Sequence, residues 1–324
     1  MTGSMNRRSI FALGAGAAAI AASGLPTTAA ATPVADTALA RSLPGDFRSK
    51  FAEVNSIRLH YVTGGQGEPL FLLPGWPQTW WEYRYVLPAL AARYRVFAID
   101  MRGMGGSDKP AAGFDKKTMA RDIFELARQL GFDKINIAGH DIGSMVAYSF
   151  AVNHPDATNK VALLEVAHPN DFLTKNLLML PPGPPPVHVW WFAFNQVHSL
   201  PEQLLTGRFR FMVDWLCDNL MVHPEAVTDR DRDVFARAYN NPEAIRAGNG
   251  WYQAFYQDIA DQATYGRITA PLLGLASDQS YGLVKDLWQS QGTDVRVVNV
   301  PNSGHFIVEE QPEFVADQLA GFFG

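Results

Sequence analysis

A strand-like run, Lys134-Ile135-Asn136-Ile137-Ala138, passes through Gly139-His140-Asp141-Ile142-Gly143 into a helix-like run from Ser144 to Ala151. Small residues on both flanks let the chain reverse sharply and hold the central side chain up into a cavity. That central residue is Asp141. A carboxylate so placed suits attack on a saturated carbon, because the product is an alkyl ester that water can cleave, whereas a serine would give an inert ether. The same pentapeptide also suits a plain turn in which Asp141 caps the following helix. The remainder of the chain has to decide between the two.

Several apolar runs read as strands: Pro69 to Leu73, Arg95 to Asp100, Lys160 to Leu164, Pro271 to Ala276 and Val295 to Val300. Most do not alternate, and helical spacing separates them at Trp80 to Arg93, Lys117 to Leu130 and Gln311 to Phe323, with Gly131 placed to cap the second. Ile57 to Val62 alternates like a half-buried antiparallel strand. Buried strands interleaved with helices predict a mostly parallel sheet wrapped on both faces. From about His168 to Tyr265 the alternation stops, giving way to the proline stretch from Pro181 to Pro186 and aromatic helical segments. We read residues 168–265 as a helical cap inserted into a core made of residues 46–167 and 266–324. Asp229-Arg230-Asp231-Arg232-Asp233 lacks the glycine and closing glutamate of a calcium loop, so a solvated helix start is expected there.

Composition narrows the function. With 324 residues, 47% of them hydrophobic, the chain can bury a large core, and one domain with an insertion suffices. A net charge of -5 argues against general affinity for nucleic acid or anionic membrane. Cys217 is the single cysteine, so no intrachain disulfide can form. The histidines show no metal-ligand spacing and no phosphate loop is present, so no metal and no cofactor are expected. At the start, Arg7-Arg8 precedes an uncharged run from Ala12 to Leu25 that is too short and weakly apolar to span a membrane. Residues 1–40 therefore resemble a twin-arginine export signal and leader, with cleavage after Ala31 or Ala40 and a periplasmic or secreted product; a retained helical leader is the alternative.

Two more segments carry candidate chemistry. In Pro74-Gly75-Trp76-Pro77-Gln78 the glycine permits close backbone approach, which makes the amides of Trp76 and Ile142 a candidate oxyanion hole; the plain alternative is a proline turn with Trp76 in the core. His305, in Pro301-Asn302-Ser303-Gly304-His305-Phe306, leaves the last strand at the end where active sites gather, as a base or as a structural histidine.

Together these parts resemble the α/β-hydrolase fold, and the aspartate elbow is similar to that of epoxide hydrolases and haloalkane or haloacetate dehalogenases, most like the secreted Cif-type epoxide hydrolases. The likeness runs from Asp46 to the end and rests on Gly75 to Gln78, Asp100-Met101-Arg102-Gly103, Gly139 to Gly143 and Gly304-His305. It implies a cis Trp76-Pro77 bond. It also implies Glu165 as the acid that orients His305, with Asp278 the alternative where many relatives carry an aspartate; Ser280 stands nearer that place. Tyr252 matches the cap proton donor, with Tyr239 and Tyr256 as aromatics that simply pack, and Trp191 falls at the second donor. Pro74 stands where most relatives have histidine, and Ile142, Ser144 and Met145 where haloacetate enzymes place arginines. The implied function is opening of epoxides to vicinal diols through an ester to Asp141, with a small apolar substrate and water as co-substrate. A dehalogenase using the same ester and a non-catalytic binding protein are the other readings.

Overall fold

The computed structural model describes residues 35–171, 173 and 189–324. The paired arginines of the leader and the Pro181 to Pro186 stretch lie outside them. Eight strands form one sheet in the order β1-β2-β4-β3-β5-β6-β7-β8. They are β1 (Arg48–Val54), β2 (Ile57–Gly64), β3 (Pro69–Leu73), β4 (Arg95–Asp100), β5 (Ile135–His140), β6 (Thr158–Leu164), β7 (Leu272–Ser277) and β8 (Val295–Val300). β2 runs antiparallel to both β1 and β4, and the other neighbours are parallel.

Burial follows position in the sheet. Every residue of β3, β5 and β7 is buried, which is why β3 and most of β7 read as apolar runs, while β5 also buries Asn136 and His140. At the far edge, β1 buries only Ala52 and Val54 and carries Arg48, Lys50 and Glu53 outward. Charge on an edge strand blocks pairing with other chains and also hides the strand from a search for apolar runs. Asn55 and Ser56, at φ 46° and 63°, make the tight turn into β2.

The helices are α1 (Asp36–Ser42), α2 (Leu87–Ala91), α3 (Lys116–Gln129), α4 (Ile142–Asn153), α5 (Trp190–Gln196), α6 (Leu200–Leu205), α7 (Arg210–Leu220), α8 (Asp229–Tyr239), α9 (Pro242–Gln253), α10 (Phe255–Gln262), α11 (Tyr281–Gln291), α12 (Ile307–Glu310) and α13 (Pro312–Phe323). The helix expected from Trp80 to Arg93 is broken: a 3-10 turn over Trp80–Tyr85 precedes α2, where Pro88 favours a fresh helix start. Helices α5 to α10 all lie between β6 and β7, a helical insert over the carboxyl ends of the strands.

Polar contacts bind this insert to the sheet. Asp231 does not stay in solvent as the charge run suggests. It accepts the Trp81 indole N–H at 2.7 Å and pairs with Arg84 at 3.1 Å, while Thr228 caps α8 in front of it. Lys116 pairs with Asp258 at 2.7 Å, and the Trp251 indole donates to the Arg102 carbonyl at 3.0 Å. Among the described residues no helix is long and apolar enough to cross a membrane.

The two elbow glycines are fixed by backbone. A Cβ on Gly139 would lie 2.0 Å from the Gly143 carbonyl oxygen, and one on Gly143 would lie 2.1 Å from that of Leu73. Rigid backbone cannot yield as a side chain can, so Gly139→Ala should cost at least about 3 kcal/mol of stability, the upper end of ordinary overpacking. A urea melt of the variant checks this, and an unchanged midpoint would show that the elbow can relax.

Candidate active site

Asp141 stands at the crest between β5 and α4, with φ 50° and ψ -119°. A non-glycine residue is seldom held in that region unless its surroundings impose it, at a cost of about 1–3 kcal/mol. The side chain makes no bond to the helix it precedes, so it is not a helix cap. Instead Oδ1 accepts the backbone N–H of Trp76 at 2.9 Å, and Oδ2 lies 3.5 Å from Nε2 of His305. Gly75 makes the first contact feasible, since a Cβ there would sit 2.6 Å from that of Asp141. The Trp76-Pro77 bond is cis. Ile142 opens α4, where a helix leaves its first N–H groups without intrahelical acceptors.

On its other side His305 presents Nδ1 to Oε2 of Glu165 at 3.4 Å. Glu165 follows β6 directly, with φ 72°, and is held from β7. The Ser277 amide donates to Oε1 at 2.5 Å and the Ser280 hydroxyl to the same oxygen at 2.9 Å. Asp278 faces elsewhere, accepting the Asn302 amide at 2.8 Å on the surface. The loop that carries His305 is itself fastened to the insert. The His305 amide donates to the Leu220 carbonyl at the end of α7 at 2.7 Å, and a Cβ on Gly304 would come within 2.1 Å of that oxygen.

Above the carboxylate lies a wall of aromatic rings. Tyr252 on α9 packs edge-on against Trp76, with ring centroids 5.4 Å apart, and against Phe192 at 5.3 Å. Its hydroxyl is buried and meets no hydrogen-bond partner of good geometry. The other two tyrosines are otherwise placed: Tyr239 spends its hydroxyl on the Gln78 carbonyl at 2.8 Å, and Tyr256 is exposed. Trp191 on α5 is buried beside Tyr252, close enough for its indole to influence the phenol.

The α/β hydrolase fold profile matches residues 68–312 of this chain. The chain belongs to the α/β-hydrolase fold family. Within it this hydrolase falls in the branch of epoxide hydrolases and dehalogenases. It is 34% identical to a soluble epoxide hydrolase of Corynebacterium sp. strain C12 over 279 residues, covering 84% of this chain and 96% of that one. A fluoroacetate dehalogenase of Burkholderia sp. is 27% identical over 291 residues, covering 85% and 93%. Cfl2 of Burkholderia cenocepacia superposes with a TM-score of 0.82 at 35% identity, over 87% of this chain and 97% of that one. The Cif epoxide hydrolase of Acinetobacter nosocomialis superposes at 0.78 over 86% and 89% but with 20% identity, so its likeness is one of fold.

The electrostatics of the hydrolase couple the three charged groups. Burial disfavours the charged His305 imidazole, yet bonds and attraction from Asp141 and Glu165 outweigh it and lift the pKa to about 10. Burial alone would raise Asp141, but the His305 bond and charge, His140 and the Trp76 amide pull it below the usual carboxylate range. The resting site is therefore a carboxylate facing an imidazolium. Burial, reinforced by the Asp141 charge and opposed by the Trp191 indole, pushes the Tyr252 phenol well above its ordinary value and keeps it protonated.

Several contacts that shape the site escaped sequence reasoning, which named Ser280 but not its role. Ser277 and Ser280 anchor Glu165 from the strand end where other relatives were expected to carry the acid itself. Glu82 is wholly buried, accepts the Gly75 amide at 2.8 Å and lies 3.2 Å from His140 Nδ1. The opposite ring nitrogen of His140 bonds the His305 carbonyl at 2.8 Å, so one carboxylate braces both the Trp76 loop and the His305 loop. The one available signal was His140 itself, a polar residue inside the elbow.

Asp36, His60 and Asp100 are the one group among the described residues with the spacing of metal ligands. Their atoms are already used: Asp100 accepts the amides of Trp80 and Gly106 and pairs with His60, and the Trp80 indole donates to Asp36. These bonds fasten α1 to the sheet.

Proposed function

We propose that this hydrolase opens epoxides to vicinal diols through an ester to Asp141. The observation that carries the reading is a single carboxylate with one oxygen on a backbone amide and the other 3.5 Å from the His305 imidazole. In the first step Oδ2 of Asp141 attacks an epoxide carbon while Tyr252, assisted by Trp191, gives its proton to the departing oxygen. A protonated phenol is required, because an alkoxide is a poor leaving group. Esterification removes the Asp141 charge, which had held the proton on His305. The imidazole then gives up that proton, the Tyr252 phenolate regains one, and His305 is free to act as a base. Oriented by Glu165, it deprotonates water, which attacks the carboxyl carbon of Asp141. The new oxyanion forms on Oδ1 against the amides of Trp76 and Ile142, and collapse releases the diol. In heavy-oxygen water the label should enter the Asp141 carboxyl group; label only in the diol would exclude the ester.

Trp191 favours one second reading, dehalogenation by the same ester, because an indole N–H suits a halide as well as an epoxide oxygen. Tyr252→Phe separates the two. It should slow epoxide opening by about 10²- to 10⁴-fold, the usual worth of a general acid, while leaving halide release little changed. Release of chloride or fluoride by the unaltered protein, with no diol from a broad epoxide panel, would favour the dehalogenase. The acid placed directly after β6 supports kinship with the Cif-type enzymes.

We further propose export by the twin-arginine route, with cleavage before Asp36. Leu39 and Ala40 of α1 are buried and Asp36 accepts the Trp80 indole N–H at 2.8 Å, so cutting after Ala40 would remove part of the core. The intact mass of the exported protein should fit an N terminus close after Ala31; a mass corresponding to Arg41 onward would contradict this.

A further inference from the structure

Two buried carboxamides in the insert have amide nitrogens without partners, and each sits on a helix that carries a residue over Asp141. Asn195 is 0% exposed and neither its Oδ1 nor its Nδ2 meets a hydrogen-bond partner. Asn249 is buried as well, with Nδ2 unmet. Buried polar groups in native proteins nearly always pair, so each exception asks for a reason.

Their positions supply one. On α5, Asn195 comes four residues after Trp191 and three after Phe192, so it shares their face; Phe192 in turn packs on the Tyr252 ring at 5.3 Å. On α9, Asn249 precedes Tyr252 by three residues and Gln253 by four. The Gln253 side chain reaches the Asn195 carbonyl at 3.4 Å, tying the two helices together at that level. Both carboxamides thus lie about one helical turn, roughly 5 Å, from the pair of donors over Asp141. Gln291 also has both atoms unpaired, but its helix carries no residue of the site.

We infer that Asn195 and Asn249 form a second polar subsite, which recognises a neutral hydrogen-bonding group on the substrate, such as a hydroxyl or carbonyl a few bonds from the epoxide ring. A carboxamide offers a donor and an acceptor and no charge, so it matches a neutral group and gives no ion pair to a carboxylate. Nearby cations are already committed, Lys116 to Asp258 and Arg102 to Asp122. A few convergent polar groups in an otherwise aromatic pocket are the usual means of fixing a ligand's orientation. The inference rests on the epoxide reading and narrows its substrates from plain alkyl epoxides to those with a second, uncharged polar function.

The test compares kcat/KM for 1,2-epoxyhexane with that for a series of terminal epoxides bearing a hydroxyl two, three or four carbons from the ring. The unaltered enzyme should prefer at least one hydroxylated member by about 10- to 100-fold. In Asn195→Leu and Asn249→Leu that preference should vanish while turnover of epoxyhexane persists. Tm should hold or rise, because the substitution removes an unpaired buried polar group. Equal preference in the unaltered enzyme would overturn the inference. So would variants that lose both substrates alike with a lowered Tm, since that marks a structural role. If no epoxide of either kind is turned over, the epoxide reading falls, and the inference with it.

Discussion

Replacing Asp141 by alanine is expected to lower kcat by a factor on the order of 10⁶, the scale seen when a covalent nucleophile is removed. The remaining groups cannot replace it: Glu165 is tied to Ser277 and Ser280, and no ester can form without a carboxylate on the crest. The same change should lower the His305 pKa from about 10, because the bond and charge of Asp141 are leading causes that raise it. The sign for stability follows. A group whose pKa rises on folding adds stability that is complete below its unfolded value near 6.5 and is lost as pH climbs through about 10. Asp141, with a lowered pKa, adds stability above its ordinary 3.8 that is lost in acid. The unfolding free energy of the unaltered protein should therefore exceed that of the variant most between those limits, and the difference should shrink above neutrality. Titration of the His305 ring by NMR, with urea melts across pH, checks both parts. An unshifted His305 would mean that Glu165 alone holds its proton and that esterification does not release the base.

His305→Gln should separate the two chemical steps. Alkylation of Asp141 needs no base, so it should proceed, while hydrolysis of the ester should slow by about 10²- to 10⁴-fold. Intact-protein mass spectrometry after mixing with an epoxide should show an adduct equal to the mass of the epoxide, mapped to the peptide containing Asp141. Absence of the adduct across a broad panel would count against epoxides as the source of the ester and leave the dehalogenase and binding readings in place. The elbow geometry makes the experiment clean. Trp76 holds Oδ1 through its backbone, which the substitution leaves intact.

Much of this architecture is legible in the chain because physics writes it locally. β3, β5 and β7 are covered on both faces, so they are mostly apolar without alternation, and the elbow glycines are required by backbone contacts, Gly139 within its own turn and Gly143 against the end of β3. Asp141 and His305 could be singled out because each follows a strand and the sheet gathers strand ends. β1 could not, because an edge strand has little to bury. The bracing groups were hidden for another reason. Glu82 meets His140, and Ser277 and Ser280 meet Glu165, only once distant segments are brought together; beforehand nothing in the stretches around Glu82 and Ser277 marks them. Choosing between Glu165 and Asp278 likewise required coordinates, since both follow parallel strands and they differ only in which way they point.

The bond from the His305 amide to the last turn of α7 has a consequence for engineering. A graft that exchanged the segment between β6 and β7 for that of another enzyme would replace the aromatic wall over Asp141 and also remove the peg on which His305 hangs. In this scaffold, selectivity and rate would shift together unless the donor sequence kept an equivalent carbonyl at position 220 and a glycine at 304.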